Sequence, residues 1–163
     1  MSSVTKERTA RATLTTPADR MIRIERDFDA PRSRVWRAMT EPHLVAQWWG
    51  RGHELDVEAL ELEPGGRWRF VEHAPDGTQG FEGHFREVVP EERLTFTLRW
   101  DGMPAYPFVE HLTLEELGEN RTRVVSEILF FTSEERDAVL GSGMEEGMNQ
   151  SYAELDRLLT SLA

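Results

Sequence analysis

The chain has 163 residues, with 30 acidic and 19 basic side chains, which give a formal net charge of −11 at pH 7. A chain of this length typically forms one domain with its own hydrophobic core. It contains no cysteine, which excludes disulfides, cysteine-ligated metal sites and cysteine nucleophiles. The negative charge argues against nonspecific nucleic-acid binding, which needs a basic surface.

Targeting signals are absent from the sequence. No stretch approaches the roughly 20 consecutive apolar residues that a membrane-spanning helix needs. Residues 1–18 lack the apolar core of a secretory signal. We therefore predict a cytoplasmic protein in which residues 14–163 form a single domain. Residues 1–13 are expected to be a disordered leader, and a short edge segment within residues 1–18 is the alternative.

The first predicted elements are a strand and two short helices. Residues 21–28 alternate apolar and charged side chains, which is typical of a half-buried strand. Asp29 is expected to cap a short helix over about residues 31–39, with a proline in its first turn. A second short helix is expected to begin at residue 42 and to end at Gly50.

The next eighty residues are predicted to form a β-meander. Runs with strand propensity alternate with short turns that are rich in Pro, Gly and Asp. Loops this short force successive strands to pair in antiparallel fashion. The predicted strands span residues 53–60, 66–73, 79–89, 92–100, 107–117 and 121–131.

The remaining chain is predicted to be helical. Thr132 and Glu135 have the spacing of a capping box. In this motif, the side chain of each of the two residues accepts a hydrogen bond from the backbone N–H of the other. From residue 144 onward, apolar side chains recur every three to four residues, so one helix face is apolar. Glycines at 141, 143 and 147 are expected to bend this region or to separate a short helix from a long one.

The order of elements predicts an α+β fold in which a curved antiparallel sheet wraps around a long C-terminal helix. The apolar face of the sheet must be covered, and the C-terminal helix is the element that remains to cover it. A single helix cannot fill the concave side of so many strands. A cavity between sheet and helix is therefore expected.

Short motifs are spread across residues 14–162. They are Leu14-Thr15-Thr16-Pro17-Ala18-Asp19-Arg20, Phe28-Asp29-Ala30-Pro31-Arg32, Val35-Trp36-Arg37-Ala38-Met39-Thr40-Glu41-Pro42, Trp48-Trp49-Gly50, Pro64-Gly65-Gly66-Arg67-Trp68, Val88-Val89-Pro90-Glu91-Glu92-Arg93-Leu94, Thr122-Arg123-Val124, Arg136-Asp137-Ala138-Val139-Leu140, and Gly143-Met144 with Gly147-Met148. In this order they resemble the family named for the activator of heat-shock-protein-90 ATPase, within the START-like, Bet v 1-like or SRPBCC superfamily. The resemblance implies the helix-grip fold, with two short helices after the first strand. It also implies functions that range from lipid carriage and polyketide cyclisation to chaperone activation.

The candidate ligand-binding residues are mostly aromatic side chains and methionines that the favoured register turns toward the cavity. Apolar pockets with a few polar groups are how proteins bind small hydrophobic ligands. If Phe108 and Leu112 face inward, Glu110 also lies inside, where a carboxylate is costly unless it is paired or neutralised. In the alternative register, Glu110 faces solvent. The candidates are Trp49, Trp68, Phe70, Phe96, Trp100, Phe108, Glu110, Met144, Met148 and Tyr152.

The favoured function is binding of a small hydrophobic or amphipathic molecule in the cavity, without a cofactor and without catalysis. One alternative is a protein-interaction module of the co-chaperone type with a chaperone partner. Another is a cyclase- or hydrolase-like enzyme that uses a pocket carboxylate or a histidine, with Glu110, His73 and His111 as the candidates. The five histidines do not have the spacing of a metal site.

Two surface features complete the expectations from sequence. Residues 102–107 form a proline-stiffened loop that is expected to close one end of the cavity. Leu129 and Phe131 face outward in the favoured register, which suggests a homodimer surface.

Overall fold

A computed structural model describes residues 11–118 and 120–163. Within these residues, eight strands form one antiparallel sheet in the order β1-β2-β8-β7-β6-β5-β4-β3. Strands β3 to β8 form a meander, and β2 joins the sheet by pairing with β8. The strands are β1 (Thr13–Thr15), β2 (Met21–Phe28), β3 (Glu54–Leu60), β4 (Arg67–Ala74), β5 (Gly77–Val89), β6 (Arg93–Trp100), β7 (Phe108–Gly118) and β8 (Arg121–Leu129).

Four helices accompany the sheet in the described part of the chain. Helices α1 (Arg32–Thr40) and α2 (Pro42–Val45) follow β2, and α3 (Ser133–Leu140) and α4 (Met144–Ser161) follow β8. The sheet curves around α4, so the α+β helix-grip fold predicted from the sequence is confirmed. None of these described helices is both long and apolar enough to cross a membrane.

The strand at the N-terminal edge is an addition to the predicted elements. β1 has three residues and pairs with β2, with Leu14 opposite Ile24. The strand agrees with the alternative of a short edge segment, although three residues are too few to show a period. Thr13 begins the strand one residue inside the expected leader, whose residues 1–10 lie outside the described residues.

The boundaries of the first two helices differ from the prediction. Asp29 does not cap α1, because the N-cap position is Pro31 and the Asp29 carboxylate instead bonds to Arg121 at 3.3 Å. Helix α2 ends at Val45 rather than at Gly50. The left-handed backbone that ends this region lies at residues 51 and 52, with φ of 58° and 86°.

The predicted start of the C-terminal helical region is confirmed. The Thr132 hydroxyl accepts a hydrogen bond from the Glu135 backbone N–H at 3.1 Å. The Glu135 carboxylate accepts from the N–H of Phe131, one residue earlier than in an ideal capping box. Gly143, with φ of 86°, separates α3 from α4, and a left-handed residue at this position favours glycine.

The core lies between the sheet and the helices. Alternate side chains of β2 point inward, and Ile22 and Phe28 are almost completely buried. Val35 of α1 and Leu155 of α4 pack into the same apolar cluster. This part of the interior is filled, whereas the space between the other half of the sheet and the start of α4 is not.

Candidate ligand-binding cavity

A cavity of about 520 Å³ lies between the concave face of the sheet and α4. Its volume is in the range of pockets that hold small organic ligands. All ten side chains selected from the sequence line it, and their role in binding stays a prediction. They are Trp49, Trp68, Phe70, Phe96, Trp100, Phe108, Glu110, Met144, Met148 and Tyr152.

One end of the cavity is an aromatic cluster centred on Trp49. The Trp49 ring lies 5.1 Å from Phe70 and 4.8 Å from Phe81, measured between ring centroids, and both contacts are edge-to-face. Trp68 is 6.3 Å away in a similar orientation. These geometries add attraction beyond apolar burial and hold the rings in fixed positions.

Glycine at position 83 allows Trp68 to take its place in this cluster. The Trp68 indole N–H donates to the Thr97 carbonyl at 3.0 Å. A Cβ atom on Gly83 would lie 1.7 Å from that same carbonyl oxygen, so any larger residue would displace the strand or the indole. This hydrogen bond satisfies the indole N–H of Trp68, which would otherwise be an unpaired donor in an apolar wall.

The predicted closing loop lies at the far end of the aromatic wall. Met103 and Tyr106 line the cavity beside Trp100. The Trp100 indole donates to the side-chain oxygen of Gln79 at 2.5 Å and stacks on Phe81 at 6.5 Å. The loop thus contributes to the wall, and its action as a flap stays a prediction.

Helix α4 supplies the wall opposite the sheet. Met144 and Met148 lie one turn apart on the side that faces the cavity. Tyr152, one turn further on, packs edge-to-face on Phe28 at 5.3 Å and stacks on Trp48 at 6.2 Å. The tyrosine ring is therefore part of the core, while the methionines are flexible side chains beside an open space.

Glu110 faces the cavity, as the favoured register requires. It pairs with Phe96 on β6 and Ile128 on β8, and all three side chains line the cavity. The Ser126 hydroxyl donates to the Glu110 carboxylate at 3.0 Å. Burial raises the pKa of Glu110 to about 7, and the Ser126 hydrogen bond opposes the rise in part. Near neutral pH, this carboxyl group exchanges between its neutral and charged forms.

Tyr152 belongs to the same polar group. Its pKa lies above the ordinary value because the phenol is buried and because the Glu110 charge is near, while a hydrogen bond with Ser126 acts in the opposite direction. Glu110, Ser126 and Tyr152 thus form a small hydrogen-bonded cluster on an otherwise apolar wall.

A second carboxylate in the wall, Glu72, was not selected from the sequence. Only 2% of Glu72 is exposed, and Arg51 donates two hydrogen bonds to it at 2.7 and 3.0 Å. His53 lies 2.8 Å from the same carboxylate. Glu72 shares the alternate positions of β4 with Trp68 and Phe70, so this spacing was the signal that could have placed it inside.

The histidine alternatives are not part of the cavity. His111 lies on the outer face, where its ring nitrogen is 2.9 Å from the Thr95 hydroxyl. His73 pairs with Asp56 at 2.8 Å. No histidine is among the residues that line the cavity, and the described part of the chain holds no group of three or more potential metal ligands.

Of the two residues that were expected to face outward near the end of β8, Leu129 and Phe131, one is exposed. Phe131 is 70% exposed, whereas Leu129 is partly buried. Phe131 follows the strand, because β8 ends at Leu129 rather than at residue 131. The homodimer surface stays a prediction.

These features define a class: helix-grip proteins in which a curved sheet and a C-terminal helix enclose an apolar cavity. The sequence model of the family described as activator of Hsp90 ATPase homolog 1-like protein matches residues 29–160. The chain therefore belongs to this family.

Solved structures from several bacteria share the fold. A protein from Rhodobacter sphaeroides is 27% identical with a TM-score of 0.84, and the match covers 93% of this chain and 99% of that one. A protein from Arthrobacter aurescens is 25% identical with a TM-score of 0.81 and 91% coverage of both chains. Protein Ms6760 from Mycobacterium smegmatis, at 23% identity, has a TM-score of 0.80 and coverage of 91% and 96%. Comparison with curated proteins gave no match.

Proposed function

We propose that this protein binds a small hydrophobic or amphipathic molecule in the cavity between the sheet and α4. The observation that carries the proposal is a space of about 520 Å³ enclosed mainly by aromatic and aliphatic side chains. Protein interiors are normally packed without voids of this size, because a cavity loses both dispersion contacts and stability. Retaining such a space has a cost in stability, which is a reason to assign it a ligand.

The walls favour a ligand with a flat apolar body. Trp49, Phe70 and Phe81 present ring faces and edges at one end of the cavity. Met144 and Met148 can adjust to the shape of a ligand because their side chains are unbranched. Rigid rings on one side and flexible chains on the other suit a range of related ligands.

The proposal is tested by titration with the neutral fluorescent probe N-phenyl-1-naphthylamine. Saturable binding of about one probe per chain is expected, with enhanced probe emission in the apolar cavity. Met148→Trp places an indole ring in the cavity and should weaken binding about tenfold or more, because the probe then loses apolar contact area worth more than 1.4 kcal/mol. Thermal unfolding shows whether the variant is folded.

Phe131→Ala is the matched control, since Phe131 is an aromatic side chain that is 70% exposed and outside the cavity. Its affinity for the probe should equal that of the wild type. Absence of saturable binding, or equal weakening by Phe131→Ala and Met148→Trp, contradicts binding in the cavity.

A second candidate function is regulation of a chaperone ATPase, and the observation that favours it is the family match over residues 29–160. The measurement is the ATPase rate of an Hsp90 chaperone with and without saturating protein. A rate increase supports this candidate, and an unchanged rate counts against it.

A further inference from the structure

Glu110 differs from every other carboxyl group that lines the cavity. Its carboxylate accepts one hydrogen bond, from Ser126 at 3.0 Å. In residues 11–118 and 120–163, Glu110 takes part in no ion pair. A serine hydroxyl supplies one donor, whereas an ionised carboxylate can accept about four. The group therefore retains acceptor capacity toward the cavity.

The other charged groups nearby are already paired or exposed. Glu72 is held by Arg51 and His53. Asp76, at the rim, is exposed to solvent. Arg26 on β2, whose charge acts on the Tyr152 phenol, donates to both carboxylate oxygens of Asp156 on α4. Among the described residues, no cation forms an ion pair with Glu110.

We infer that Glu110 determines the specificity of the cavity, and that the preferred ligand is a cationic amphiphile, an apolar ring or chain body that carries a primary amine. The inference rests on the proposed function. An ammonium group offers up to three N–H donors and a positive charge, so it supplies both the hydrogen bonds and the counter-charge that Glu110 lacks. The surrounding aromatic rings also attract cations through their faces.

The same geometry disfavours anionic ligands such as fatty acids. A ligand carboxylate beside Glu110 would place two like charges in an apolar space, which is costly unless one of them takes up a proton. The protein charge of −11 adds to this by attracting cations and repelling anions at a distance. A neutral alcohol with the same apolar body should bind with intermediate affinity, because it can hydrogen-bond to Glu110 without neutralising its charge.

The test uses three probes with one apolar body: 2-(1-naphthyl)ethylamine, 2-(1-naphthyl)ethanol and 1-naphthaleneacetate. Their dissociation constants are measured by calorimetry at pH 8, where most of Glu110 is ionised, since its pKa is about 7. The amine should bind about tenfold or more tightly than the alcohol, as expected for a hydrogen-bonded charge pair, and the acetate should bind most weakly.

Glu110→Gln should remove the preference. The variant keeps the shape of the side chain and removes its charge, so the alcohol should bind within about threefold of wild type while the amine loses about tenfold. Glu116→Gln is the matched control. Glu116 is exposed on the same strand, so this variant changes the net charge equally but leaves the cavity unchanged.

Each outcome decides between the two proposals. An amine preference that Glu110→Gln abolishes and Glu116→Gln retains supports the inference. Equal affinities for all three probes in the wild type overturn the inference but leave binding in the cavity standing. An amine preference that persists in Glu110→Gln also overturns it, and binding of none of the probes overturns the proposed function together with the inference.

Discussion

Glu72 and Glu110 both lie in the wall of one cavity, yet their carboxyl groups have very different partners. Glu72 is enclosed and held by a bidentate Arg51 and by His53. Glu110 has a single hydroxyl donor and faces the open space. A buried carboxylate can thus serve either to tie two segments of the chain together or to bind a polar group of a ligand. We assign Glu72 to the first role and Glu110 to the second.

Removal of the arginine partner of Glu72 should have the greatest effect on the free energy of unfolding. Arg51→Met keeps much of the side-chain stem but leaves Glu72, 2% exposed, with His53 as its remaining partner. An uncompensated buried carboxylate is strongly destabilising, so the free energy of unfolding should fall by about 2–4 kcal/mol. Urea unfolding at pH 7 measures the change.

Arg93→Met is the control for this variant. Arg93 pairs with Glu87 at 2.9 Å, and each side chain is nearly half exposed. Such surface pairs contribute little, so the loss should stay below about 1 kcal/mol. Equal losses in Arg51→Met and Arg93→Met would mean that the Glu72 pair does not tie the structure together.

The next effect concerns the pH dependence that Glu110 gives to stability. Its pKa is about 7 in the folded protein, against 4.5 for an unperturbed glutamate. Between these values the unfolded chain releases a proton that the folded chain keeps, so stability falls as the pH rises, by at most about 3 kcal/mol. Below pH 4.5, both states hold the proton and this loss is absent.

Glu110→Gln cannot lose a proton and should escape this decline. Urea unfolding should give nearly equal free energies for variant and wild type at pH 4, where both the folded and the unfolded wild type hold the proton. At pH 8, the variant should be more stable by about 1–3 kcal/mol, toward the lower end because Glu110 is partly exposed to the cavity. A variant whose free energy follows that of the wild type at both pH values shows that Glu110 has an ordinary pKa.

The smallest effect should come from Ser126→Ala. The Ser126 hydroxyl donates to the charged form of Glu110, so its loss should raise the pKa of Glu110 further above 7. At pH 8, the free energy of unfolding should fall by about 1 kcal/mol. NMR titration of the Glu110 carboxyl carbon measures the pKa, and a lower pKa in the variant contradicts the assigned hydrogen bond.

The fold and much of the cavity wall could be predicted because they follow from local patterns. Alternation along β7 placed Phe108, Glu110 and Leu112 on one face, and the structure has this register. The capping residue Thr132 was likewise visible from its spacing to Glu135. A period of two or a four-residue motif depends only on neighbouring residues, so it can be recognised without knowledge of tertiary contacts.

The rest could not be predicted because it depends on contacts between distant segments. The bond of Arg51 to Glu72 spans 21 positions, and Arg51 has a left-handed backbone, with φ of 58°. Asp29 resembles a helix cap in sequence, but its carboxylate accepts a hydrogen bond from Arg121, 92 positions away. In both cases the sequence near the charged residue allows several partners, and only the tertiary structure determines which one it has.

Carboxyl-carbon NMR titration of Glu110, with and without saturating 2-(1-naphthyl)ethylamine, tests most directly whether Glu110 is the polar anchor of a ligand cavity. The titratable and charged groups around Glu110 are Tyr152 on α4 and, near that phenol, Arg26 on β2 with its partner Asp156. We expect a Glu110 pKa of about 7 in the free protein and a clearly lower value with the amine bound, because an ammonium partner favours the charged carboxylate. A Glu110 pKa near 4.5 in the free protein, or one that the bound amine leaves unchanged, would contradict it.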